Sequence, residues 1–242
     1  MVTAFDVAVV AGGIVAGTIA SVAGFGIGSV LTPLLALELG TKLAVAAVSI
    51  PHVIGTAVRF WMLRGRVDRR TFVWFGLASA AGGLAGALLH ADASNRGLGI
   101  LLGALLVFAA ISTLTGFMRR VHLGRRTAWL AGALSGAFGG LVGNQGGIRS
   151  AALLAFDADK ETFVATATAV GLIVDAARMP VYLATEQDAL RTRWPLIAWA
   201  TVGVLLGTFA GRRVLARVPD ATFHRLVALL LFALGVWMIV HG

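Results

Sequence analysis

Residues 7–37 run for thirty-one positions without a charged side chain, and this feature constrains the fold more than any other. As one helix the run would be roughly 45 Å long, well beyond a hydrocarbon core of about 30 Å. Further uncharged runs follow at 43–58, 71–89, 97–118, 127–148, 162–174 (continuing to 184 past two charges), 194–211 and 226–240. Charged residues are 13% of the 242 and hydrophobic ones 58%. A soluble domain carries about 25% charge and could not cover itself with so little. Disordered, collagen-like and coiled-coil chains are excluded by the same composition, and a disulfide framework by the absence of cysteine. The expectation is an all-α integral membrane protein, multi-pass and in a cell (inner) membrane. The stretch before the first run has no basic residue, so that run is expected to remain in the mature chain.

The net charge of +9 does not imply nucleic acid in such a chain. Basic residues at membrane flanks set orientation and meet anionic headgroups. Arg64, Arg66, Arg69 and Arg70 form one cluster, Arg119, Arg120, Arg125 and Arg126 a second, and Arg212, Arg213, Arg217 and Arg225 a third. All three share one side if the over-long runs are re-entrant hairpins, which gives six full crossings. The third falls on the opposite side if those runs cross, which gives eight. The charge bias favours the hairpins. Trp61, Trp74 and Trp129 flank the first two clusters, as interfacial aromatics do.

Two interruptions break the over-long runs: Gly24-Phe25-Gly26-Ile27-Gly28, and Gly143-Asn144-Gln145-Gly146-Gly147. A shift of 119 relates them. It carries Gly17 to Gly136, Gly24 to Gly143, Gly28 to Gly147, Leu35 to Leu154, Ser49 to Thr168 and Arg59 to Arg178. The chain is therefore expected to hold a first transmembrane repeat at 1–118, a basic cytoplasmic linker at 119–126 and a second repeat at 127–242. Each of the two repeated halves would hold one broken or re-entrant helix segment plus three transmembrane helices. Small-xxx-small pairs such as Gly82/Gly86, Gly132/Gly136 and Gly203/Gly207 let helix backbones approach closely, and are read as packing.

Unpaired backbone cannot face lipid, so glycine-rich breaks at membrane depth must line a protein cavity. The half-helix after each break begins with free N–H groups and a positive dipole end, which attract anions. Two such ends meeting near the midplane are the usual arrangement of a secondary transporter's binding site. Pro33 fits the first turns of the half-helix after the first break. Asn144, Gln145 and Arg149 make the second break polar. The candidate binding residues are Gly24, Phe25, Gly26, Gly28, Asn144, Gln145, Gly146, Gly147, Arg149, Asp175 and Arg178. Asp175 and Arg178 lie three apart on one helix face, where a plain ion pair and a ligand role both stand. Arg149 then leaves one positive charge over, which a small anion would neutralise. His52, Arg59 and Thr168 are candidates for coupling or gating. His52 reads either as a proton carrier or as a neutral, hydrogen-bonded imidazole, and Arg59 either as a substrate contact or as a snorkelling side chain. Thr166 and Thr168 are candidate substrate hydroxyls. No nucleophile elbow, P-loop, zinc-protease motif or cysteine nucleophile is present, and Ser29, Ser135 and His52 lack a protease motif around them. No enzyme, cofactor or metal is expected.

The stretch from Gly24 to Gly28 through Thr32-Pro33-Leu34-Leu35, with the second stretch Gly143 to Arg149, resembles the TauE/SafE family of sulfite exporters. The resemblance covers essentially the whole chain. It implies transport of a small sulfur-containing anion such as sulfite or an organosulfonate, driven by an ion gradient with H+ as the candidate coupling ion. Ile27 and Ser29 interrupt the fuller glycine run of many members, and Ala152 stands where the second repeat often keeps a proline. A passive anion channel, a non-transporting scaffold and a homo-oligomer remain open alternatives at this point.

Overall fold

The computed structural model describes residues 3–117, 125–144, 146–153, 159–215 and 220–241. Gln145, Leu154, Arg217 and most of the 119–126 linker lie outside the described residues. The described residues are helical apart from short connections: α1 (Ala4–Ala23), α2 (Ile27–Leu63), α3 (Arg69–Asp92), α4 (Asn95–Thr115), α5 (Arg125–Val142), α6 (Gly146–Leu153), α7 (Lys160–Thr185), α8 (Gln187–Thr192), α9 (Trp194–Leu215) and α10 (Asp220–His241). Seven helices are long and apolar enough to cross a membrane, and Thr127–Val142 is a shorter apolar helix. Many large apolar side chains point outward, Leu89, Phe209 and Val240 among them, as a surface solvated by lipid requires.

Helices start and stop where the side chains dictate. Thr3 and Asp6 close a capping box on α1, Asp68 caps α3, Ser94 caps α4 and Asp159 caps α7. The two sequence breaks are real helix ends of one type. Gly24 (φ 75°) ends α1 and donates its N–H to the Ala20 carbonyl. Gly143 (φ 73°) ends α5 and donates to the Gly139 carbonyl. Only a residue without a Cβ takes this left-handed conformation cheaply, which is why glycine stands there.

The boundary between the first run and the second is not a loop. Helix α2 (Ile27–Leu63) is two helical stretches that meet at a kink, where Gly40 (φ 73°, ψ 159°) is non-helical. Pro33 sits in the second turn of α2, and Pro51 and Pro180 lie inside α2 and α7; each removes one backbone donor.

Glycine seams join the helices. Along α3 and α5, Gly82 lies against Ala133 and Gly86 against Ala137. Along α1 and α9, Gly13 lies against Ala200, Gly17 against Val204 and Gly211 against Thr18. Residue numbers rise together along both seams, so each pair runs parallel. Helix α10 packs on α4 through Gly103 and Gly235. The backbones come close enough for a methyl to collide with a carbonyl, which is the packing the small-xxx-small pairs imply.

Polar contacts mark the two ends of the bundle. Lys42 donates its N–H to Asn95 Oδ1 (2.8 Å) and its ammonium to the Ala91 carbonyl (2.5 Å). This ties the α2 bend to the α3–α4 connection. At the other end Asp68 donates its N–H to Thr166 Oγ1 (3.0 Å), and Arg66 meets Glu161 at 3.6 Å. Trp61, under the guanidinium of Arg64 at 3.6 Å, is exposed at that end.

Candidate functional site

The breaks pack against each other. Gly28 lies so close to the Gly143 carbonyl that a Cβ would not fit, and Phe25 covers Gly146. Ser29 donates to Asn144 Oδ1 (3.3 Å), and Arg149, one turn into α6, donates from Nη2 to the Gly24 carbonyl (3.1 Å). Helix α2 starts after Gly26 and α6 starts at Gly146. The N–H groups of their first turns, including Ile27 and Gly28 in α2 and Gly146 and Gly147 in α6, have no acceptor within their own helix. Gly24, by contrast, spends its N–H on the α1 cap.

Around this junction the interior is charged. Arg59, Arg149, Asp175 and Arg178 are each at most 4% exposed, and His52 is also buried. Arg178 grips Asp175 Oδ1 through Nε (3.0 Å) and Nη2 (2.8 Å), so the bland ion pair foreseen at this spacing does form. His52 Nδ1 lies 2.7 Å from Asp175 Oδ2, which gives both carboxylate oxygens a partner. The same Arg178 donates from Nη1 to the Gly139 carbonyl (2.5 Å). Tyr182 O–H donates to the Gly140 carbonyl, and His90 Nδ1 to that of Leu141 (2.8 Å). Those three carbonyls belong to the last turn of α5: Gly139 also accepts the Gly143 N–H, while Gly140 and Leu141 lie past the last helical donors, so Arg178, Tyr182 and His90 together cap that helix end.

The snorkelling reading of Arg59 is overturned. Its side chain is buried and donates from Nη2 to Thr56 Oγ1 (3.1 Å) rather than reaching for the Arg64 loop. The guanidinium turns inward because the part of α2 beyond the Gly40 bend stays helical to Leu63 and keeps this face against α7. Arg149 reaches the same place: its Nη1 and the Thr56 methyl both lie beside Gly171 on α7. The expected surplus of one positive charge is thus too small. Among the described residues, three buried arginines face one buried carboxylate, since Arg59 enters the site as well.

Several donors at this meeting point have no acceptor. They are Nε and Nη1 of Arg59, Nε and Nη1 of Arg149, and the hydroxyl of Thr32 beside Gly143; the buried hydroxyl of Thr168 on α7 also lacks a partner. Buried polar groups are almost always satisfied in proteins, and unpaired cations least of all escape that rule. Thr166 is spent on Asp68. Ser29 bonds Asn144 rather than a histidine, so it forms no nucleophile–base pair. Gln145 lies outside the described residues. Thr56 escaped the sequence reading, and Thr32 entered it only as part of the Thr32-Pro33-Leu34-Leu35 stretch: a lone threonine in a helix carries no motif, although Thr56 stands three residues before Arg59.

A family model described as "Sulfite exporter TauE/SafE" matches residues 9–238. The chain belongs to the TauE/SafE family. Members of this family are membrane transporters and not enzymes, which agrees with seven long apolar helices and a multi-pass arrangement. For a TauE/SafE protein the implied substrate is a small anion met within a lipid environment. No curated protein and no solved structure matches the chain.

Proposed function

We propose that this chain is a secondary transporter carrying a small sulfur-containing anion through a site between Gly24–Gly28 and Gly143–Gly147. The observation that carries the reading is the pair Arg59 and Arg149, buried together with four guanidinium nitrogens lacking acceptors. An anion lodged there would accept from both arginines, from the first-turn amides that open α2 and α6, and from Thr32 and Thr168. Asn144, bonded to Ser29, borders the same space. His52 against Asp175 is the candidate proton carrier for coupling, since imidazole is the side chain that changes charge near neutral pH. Arg178, engaged with Asp175 and α5, anchors the site.

The proposed architecture is two repeated halves of opposite orientation, with re-entrant hairpins and six full crossings. Several contacts support it. Helix α1 runs parallel to α9, which follows α7 and α8, so α1 starts at the end marked by Lys42 and Asn95. After Gly24 the chain returns to that same end at Gly40, the outline of a hairpin. Helix α5 runs parallel to α3 from the Arg66 end, and α7 sets out from that end again. The matching glycine caps and the matching i−3 contacts of Arg59 and Arg178 favour a repeat. The Arg64–Arg70 cluster would then face the cytoplasm of an inner membrane.

Proteoliposomes test the proposal. Gradient-dependent uptake of sulfite or sulfoacetate by the full chain is expected, with Arg59→Gln and Arg149→Gln each abolishing it. Uptake that ignores the gradient would point to a channel. Unchanged flux in both variants would refute the site.

A further inference from the structure

We infer that the site is matched to a divalent anion, whose second charge stands in for a carboxylate missing from the first half of the chain. This rests on the anion-transport reading above and extends it to valence. The shift of 119 that registers Arg59 with Arg178 also registers Thr56 with Asp175. The local geometry is shared. Arg178 reaches back three residues to Asp175 at 2.8 Å, and Arg59 reaches back three residues to Thr56 at 3.1 Å. One pair is neutral and the other keeps a whole positive charge.

A second register difference deepens the imbalance. His52 corresponds to Gly171. The imidazole fills the free oxygen of Asp175, whereas the bare Gly171 makes room for Arg149, whose Nη1 would lie 2.9 Å from a Cβ there. The charged and titratable groups that converge are Arg59 and His52 from α2, Arg149 from α6, and Asp175 and Arg178 from α7. With His52 neutral, these described residues carry two positive charges in excess. A monoanion leaves one guanidinium without a counter-charge in the interior, and a dianion leaves none. The unsatisfied donors also suit several oxygens: four guanidinium nitrogens and two hydroxyls are more than a single carboxylate can engage.

The test is binding of anions of similar size and different valence to the full chain in lipid, at equal ionic strength and above the imidazole titration range. Sulfoacetate and isethionate form such a pair, because they differ in a carboxylate against a hydroxymethyl group. Sulfoacetate is expected to bind at least roughly tenfold more tightly, the increment of one charge-assisted contact. Thr56→Asp restores the carboxylate three residues before Arg59 and should erase or reverse that ranking. Thr56→Asn adds the same bulk without charge and should keep sulfoacetate ahead, whatever it does to absolute affinity. Equal binding of the two anions by the unaltered chain, or a preference for isethionate, overturns the inference while leaving an anion site standing. A reversal by Thr56→Asn as large as that by Thr56→Asp also overturns it. Failure of both anions, and of sulfite, to bind removes the transport site and this inference with it.

Discussion

Replacing Arg149 by methionine separates a structural arginine from a ligand-binding one, because the two roles give opposite signs. Among the described residues Arg149 makes one charge-assisted bond, from Nη2 to the Gly24 carbonyl at 3.1 Å. Losing such a bond costs about 1.5–3 kcal/mol. Against this stands the burial of a cation, 2% exposed, with Nε and Nη1 unsatisfied. Placing an arginine at membrane depth costs about 2.5–3.5 kcal/mol on insertion scales, and the substitution removes that cost. Methionine refills the space of the aliphatic stem and adapts its shape to what remains. The two contributions cancel to within roughly 2 kcal/mol, so Arg149→Met should unfold almost as the original chain does, or later. Binding behaves otherwise. Two charge-assisted contacts to the anion are lost, about 3–6 kcal/mol together, which weakens affinity by a hundredfold or more. Denaturant unfolding without anion and calorimetric titration with sulfoacetate measure the two quantities on one preparation. A variant that loses more than about 3 kcal/mol of stability yet binds anion unchanged would show the arginine to be a tie between α6 and Gly24, and the reasoning would be wrong.

Other outcomes follow from the same geometry. Asp175→Asn leaves Arg178 buried without a counter-charge and should cost about 3–5 kcal/mol, read as a lowered thermal midpoint; an unaltered midpoint would contradict the ion-pair anchor. Gly86→Leu drives a side chain into the Ala137 carbonyl on the α3–α5 seam, and a loss of about 1–3 kcal/mol or failure to fold is expected, against little effect for the same change at exposed Gly65. Asp159 accepts N–H bonds from Thr162 and Glu161, and these hold its carboxyl below the usual carboxylate range. Its contribution is therefore full above the unfolded value near ~3.9 and is lost as pH falls through the lower folded value. Asp159→Ala should flatten that acid limb of an unfolding curve. The chain has no cysteine, so Ser94→Cys and Gly65→Cys report sidedness directly: an impermeant thiol reagent outside the cell should label the first and spare the second.

Much of this was legible before any coordinates. The over-long run 7–37 demanded a break, and Gly24 supplies it, because a left-handed helix cap needs a residue without a Cβ. The same argument located Gly143. Asp175 and Arg178 were readable as a pair, since three residues on a helix bring side chains onto one face. Arg59 was ambiguous for a definite reason: its distance from the membrane surface depends on where α2 ends, and composition does not say whether the helix stops near residue 58 or carries on to Leu63. The bend at Gly40 was likewise hidden, as a single left-handed residue leaves the hydrophobic pattern almost intact.

Local chemistry along the chain thus determined the membrane class and the two interruptions, because each depends on hydropathy, backbone conformation or spacing within about one helical turn. Tertiary structure decided what no local property encodes: that Thr56, which holds Arg59, and Arg149, more than ninety positions further along the chain, face the same glycine on α7; that His52 and Arg178 divide the two oxygens of Asp175; and that Thr56 leaves a charge unanswered. Long-range electrostatics depends on which faces the packed helices turn toward each other, and those faces exist only once the helices have met.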